Sequence, residues 1–202
     1  MRFQRQSTLT RTVLTVLAVA LIGLLVAALS TPTRSYAQAA SGGKIRFVHA
    51  VPGAPAVDVL VDDQLAASAL TFNSGTRFLN VQPGPRIVKV LVNGTQTAIF
   101  QGQVNISADF GLTVAVQGTA QAPEVGAYED DLAPARPGFI RFSAVHAIKE
   151  APPVDVLLVK GTTLVPLAQG LSYGTPYGSV DIAATAADIV VVPSGADVSS
   201  AL

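Results

Sequence analysis

His49-Ala50-Val51-Pro52-Gly53-Ala54-Pro55-Ala56-Val57-Asp58-Val59-Leu60-Val61 decides how this chain is read, because it occurs twice. The second version, His146-Ala147-Ile148-Lys149-Glu150-Ala151-Pro152-Pro153-Val154-Asp155-Val156-Leu157-Leu158, follows 97 residues later. Between 45–61 and 142–158, nine of seventeen positions are identical. A self-match at fixed offset in a chain of this length marks a duplicated unit. Beyond Asp155 the offset rises to 101, so that Phe72 matches Tyr173, Val81 matches Ile182 and Gly94 matches Gly195. The four extra residues fall around Lys160-Gly161-Thr162-Thr163, a turn, where insertion costs least.

Around the motif the apolar residues alternate. Ile45, Phe47 and His49 share one face of a first strand, and Val57, Val59 and Val61 one face of a second. Pro52-Gly53-Ala54-Pro55 separates them, since proline donates nothing to a ladder and restricts the residue before it. Further strands are expected over 65–72, 77–81, 86–92, 95–106 and 110–117, divided by Asp62-Asp63, Asn73-Ser74-Gly75, Pro83-Gly84, Asn93-Gly94 and Ser107-Ala108-Asp109. Many short strands with turns at near-regular spacing predict an antiparallel sandwich of immunoglobulin-like type. The expected organisation is therefore all-β. It comprises a first sandwich over 44–118, a proline-containing linker over 119–138 and a second sandwich over 139–202. The second copy lacks a counterpart of 102–118 before Leu202, so it is expected to be incomplete, through a truncated or diverged end or with its last strand supplied by another chain.

The first 39 residues are read as a signal peptide. Arg2, Arg5 and Arg11 precede a charge-free apolar run from Val13 to Leu29, and Ala37-Gln38-Ala39 supplies the small residues a signal peptidase requires, with Ser35-Tyr36-Ala37 as a second site. The alternative is an uncleaved membrane anchor, the one way the chain would meet a membrane, but seventeen residues is short for a span, which needs about 20. The expected location is secreted or cell-surface. Cleavage after Ala39 leaves 9 basic and 13 acidic residues, a mildly acidic chain with no basic cluster, which argues against nucleic acid as partner. There is no cysteine, so an exported chain must hold together by burial alone.

At the His-Ala-x-x-x-Ala-Pro-x-Val-Asp-Val core the chain resembles the bacterial family called domain of unknown function 4397. The resemblance rests on Ile45-Arg46-Phe47-Val48-His49-Ala50, on Ala54-Pro55-Ala56-Val57-Asp58-Val59, and on Phe72 followed by Pro83-Gly84. In the second copy it rests on His146-Ala147, Ala151-Pro152 and Val154-Asp155-Val156-Leu157, with Lys149-Glu150 departing from the pattern. It implies secreted or surface-attached β-sandwich domains, often in tandem, with no established activity.

Few groups offer chemistry. His49 with Asp58, and His146 with Asp155, stand nine residues apart in each copy, and they are the only two histidines. A carboxylate that orients an imidazole is half of a catalytic triad or the outer part of a metal site. No cysteine, no Gly-x-Ser-x-Gly turn and no neighbouring histidine completes either, so a structural role for the four residues is favoured over a hydrolase or metal enzyme. No catalytic, cofactor or metal residue is assigned. Glu129-Asp130-Asp131, with Glu124 nearby, and Asp62-Asp63 lack the spacing of a calcium loop and read as solvated acids. Phe72, Tyr128, Tyr173 and Tyr177 could form a sugar- or protein-binding patch, with Tyr177 the surface candidate and Phe72 and Tyr173 expected in the core. The reading that results is an exported, non-enzymatic interaction module whose partner is a protein or glycan. A carbohydrate-binding domain is the third alternative.

Overall fold

The parity of the apolar residues, two positions per repeat, is what the strands follow. In the computed structural model, which describes residues 42–185 and 188–196, all regular structure is strand. The expected signal segment lies outside the described residues. The first copy contributes β1 (Gly43–His49), β2 (Val57–Val61), β3 (Gln64–Leu70), β4 (Ser74–Gly75), β5 (Leu79–Val81), β6 (Gly84–Val92), β7 (Ala98–Ile106) and β8 (Gly111–Gly118), followed by β9 (Pro123–Asp130). One sheet has the order β4-β1-β8-β9, with β5 also on β1; the other is β3-β2-β6-β7. Ile45 and Phe47 of β1 and Leu112, Val114 and Val116 of β8 meet Val57 and Val59 of β2 and Val88 and Val90 of β6 in one core. The β-branched residues at these places suit a pleated, buried surface.

Two features differ from the expectation. β1 and β8 pair in parallel, Lys44 with Gly111 through His49 with Val116, so the sheet is mixed rather than wholly antiparallel. The expected linker contains β9, hydrogen-bonded to β8 along its whole length from Gly111↔Asp130 to Gly118↔Pro123. Pro123 is tolerated there because it is the first residue of an edge strand.

The second copy supplies β10 (Phe139–Val145), β11 (Val154–Lys160), β12 (Thr163–Leu171), β13 (Pro176–Ala183) and β14 (Asp188–Pro193). Its pairings repeat those of the first at the sequence offsets. Ile45↔Leu79 recurs as Phe142↔Val180, Val57↔Leu70 as Val154↔Leu171, and Val59↔Val90 as Val156↔Val191. The four inserted residues lengthen the β11–β12 hairpin by two rungs, Val159↔Leu164 and Lys160↔Thr163. Where Phe47 fills the first core, the second has Ala144, and Tyr177 opposite it on β13 supplies the bulk. The second core is smaller, built on Val156, Ala168 and Leu171. Among the described residues β14 pairs only with β11, and Ile189 and Val191, at the places of the fully buried Val88 and Val90, are 44% and 59% exposed.

β8 is buried at every position. Its even-numbered apolar residues face the sandwich core, and its other side holds Thr113, Ala115 and Gln117. Arg46 and Asp130 cover Thr113 on that side, while Gln117 lies where the second copy approaches.

Candidate functional site: the motif loops and the junction between copies

His49 ends β1 on the inward parity and is fully buried. Its Nδ1 accepts the Val51 N–H at 3.2 Å, and Nε2 stands 3.1 Å from the Pro55 carbonyl. Nδ1 therefore carries the lone pair, and the proton sits on Nε2, donated to Pro55. The ring thus closes the turn over 50–56 by giving two backbone groups their partners. His146 makes the same two bonds, with Ile148 N–H at 3.2 Å and Pro152 carbonyl at 3.1 Å.

Asp58 lies elsewhere. On β2 it has the opposite parity to Val57 and Val59, so its carboxylate leaves the core. It accepts the Ala69 N–H at 2.8 Å, the Ser68 hydroxyl at 3.1 Å, the Asn93 amide at 2.8 Å and the Gly94 N–H at 3.3 Å. Ala69 sits at φ 51°, in a bulge of β3 opposite Val57–Val59, and the carboxylate bond supports that conformation. Asp155 repeats this with Gly170 N–H at 2.7 Å and Gly195 N–H at 3.4 Å, and here the bulge position is a glycine at φ 63°. The histidine and aspartate of each copy are thus not brought together. The strand period sends one side chain in and the other out.

These carboxylates are anchors. Asp58 is held below its ordinary value of 3.8, chiefly by the Ala69 N–H and then the Asn93 amide; Asp155 is lowered chiefly by the Gly170 N–H. A depressed folded value means stabilisation present above 3.8 and lost as pH falls through the lower, folded value. The paired variant Asp58→Asn/Asp155→Asn is therefore expected to show a smaller drop in urea midpoint than the parent between pH 7 and about pH 2.5. Equal drops in both proteins would remove the anchoring role.

The other candidates are also redistributed. The acidic run does not gather. Glu129 and Asp130 point to opposite sides of β9, where Asp130 bonds Arg46 and Thr113, and Asp131 bonds Arg141. Asp62 and Asp63, in the β2–β3 turn, pair with Arg86 and Lys89 on the neighbouring β6. Tyr177, expected at the surface, is partly buried against the second core, whereas Phe72, expected in the core, is 48% exposed. Tyr128 is buried, with its hydroxyl donated to Gln117 at 2.8 Å.

What the sequence did not single out is the junction. Glu124 on β9 accepts the Lys149 ammonium on one oxygen and the Tyr173 hydroxyl, at 2.8 Å, on the other. Gly174 lies beside Gln117 and Tyr128, close enough that an added Cβ would stand 4.0 Å from each. Next to this contact a groove of about 460 Å³ opens between the two motif loops, lined by Val48, Pro52, Phe72, Asn73, Ala147 and Ile148. Phe72 and Ile148, from different copies, are its large exposed apolar residues. A signal was present in the sequence: Lys149 stands where the first copy has Pro52, and Tyr173 where it has Phe72.

No curated protein and no solved structure matches the chain. The model of one protein family does, described as Domain of unknown function (DUF4397), over residues 43–157. That stretch begins with β1 and ends within β11, so it takes in the whole first copy and every motif residue on which the resemblance rests, from Ile45 to Leu157. With its motif loops, its buried histidines and more than half its length inside that match, the chain belongs to the DUF4397 family.

Proposed function

We propose that the chain is an exported, non-enzymatic pair of immunoglobulin-like β-sandwich domains that acts by contact at the cell surface or outside the cell, with a protein or glycan as partner. The observation that carries this reading is the junction groove, where Phe72 and Ile148 stand 48% and 53% exposed beside the loops that the buried histidines close. Exposed large apolar residues gathered at one place mark contact surfaces better than the same residues scattered. The imidazole rings favour the same reading. Both nitrogens of His49 and of His146 are taken by backbone groups, leaving none to activate a nucleophile or bind an ion. Export is supported by the basic, apolar and small-residue order of the first 39 residues.

Two measurements test the proposal. N-terminal sequencing of the protein recovered outside the cytoplasm is expected to begin at Ala40. Recovery of the uncleaved chain from the cytoplasm would overturn export. Fluorescently labelled chain is expected to bind cell envelopes or a glycan array, and Phe72→Ala/Ile148→Ser to weaken that binding roughly tenfold or more, the effect of losing central apolar anchors. Unchanged binding by the double variant would remove the groove as the contact surface.

A further inference from the structure

Two of the loop positions at which the second copy departs from the first supply hydrogen-bond donors to one carboxylate. Lys149 replaces the exposed Pro52, and Tyr173 replaces the exposed Phe72. They come from different loops, β10–β11 and β12–β13, yet they take the two oxygens of Glu124 separately. Beneath them Gln117 is 5% exposed and Tyr128 8% exposed, joined by the hydroxyl bond. The first copy does not use its equivalent positions this way: Pro52 and Phe72 line the open groove.

We propose that Glu124, Lys149 and Tyr173 form an acid-releasable latch that holds the second copy at one angle against β9 of the first. Domains joined by a short connection move relative to one another unless a large, hydrophobic interface fixes them. Here charged contacts tie the second copy to β9 and the residue after it, Glu124–Lys149 and Asp131–Arg141. Glu124 accepts from two second-copy loops at once, so its protonation weakens both bonds together. The charged and titratable groups around Glu124 are Lys149 and Tyr173 from the second copy and, through Tyr173, Tyr128 on β9. The bonds from Lys149 and then from Tyr173 hold the Glu124 carboxyl below its ordinary value of 4.5. The latch is therefore closed above that value and opens as pH falls through the lower, folded one. Tyr173 is pushed up to about 12, by burial and then by Glu124, so it stays a hydroxyl donor throughout.

The chain has no cysteine of its own, so spin labels placed through Gln103→Cys on β7 and Thr162→Cys in the β11–β12 turn report the distance between copies. A single narrow distance distribution is expected at pH 7, broadening roughly twofold in Glu124→Gln and reversibly in the parent once the pH falls below the depressed Glu124 value. Tyr173→Phe keeps the ring and loses one bond. It is expected to broaden the distribution by less, and it is the variant to read if Glu124→Gln fails to fold. A parent distribution already broad at pH 7, or variant distributions that superimpose on the parent at pH 7, would overturn the latch. Binding at the groove is not part of the readout, so the latch stands or falls separately from the proposed contact surface.

Discussion

His49→Ala is expected to cost the first copy about 3–5 kcal/mol, the largest effect of any single substitution at the motif. The ring is fully buried, so its removal leaves a cavity. It also strips the Val51 N–H and the Pro55 carbonyl of their partners at the end of the core, and a buried unpaired polar group costs about 1–3 kcal/mol. His146→Ala breaks the same two bonds, but its ring is slightly more exposed and its core smaller, so about 2–3 kcal/mol is expected. Guanidinium unfolding at constant slope measures both. His49→Gln, which can restore one of the bonds, should recover part of the loss. An alanine variant with the parent's midpoint would show that the ring is not what closes the turn.

Phe47→Ala is expected to cost about 3–5 kcal/mol, since Phe47 is the largest fully buried side chain. The second copy shows how the loss is offset. It carries Ala144 at this place and Tyr177 on the facing strand, where the first copy has Thr76. Introducing Thr76→Tyr into the Phe47→Ala variant is expected to return about 1–2 kcal/mol, whereas Thr76→Tyr alone overfills the core and destabilises by about 1–3 kcal/mol. The test is a double-mutant cycle. Strict additivity of the two changes would mean that the facing positions do not share one space.

The strands were legible because burial on one face imposes a period of two. Ile45, Phe47 and His49, and Val57, Val59 and Val61, face inward as their spacing predicts. The same rule, applied across strands, would have separated His49 from Asp58. Proximity in sequence suggested a meeting that inward and outward parity forbids. β9 was hidden because Pro123 and the acids read as linker, and an edge strand can carry both. The parallel pairing of β1 with β8 leaves no local trace, since a hairpin turn announces an antiparallel neighbour and nothing announces a distant parallel one. Phe72 and Tyr173 occupy equivalent positions, but what each touches is set by the other copy, which a repeat alignment does not contain.

The β1–β8 ladder joins Lys44 to Gly111, residues 67 positions apart. During synthesis the first strand therefore emerges long before its partner, by on the order of several seconds at ribosomal rates. Until then β4 and β5 can pair one edge of β1, but the other edge of the ridge bearing Ile45 and Phe47 stays unsealed. The nascent domain is thus kept open by its own topology, and its final collapse waits for a late, long-range event of the kind that makes such folds slow.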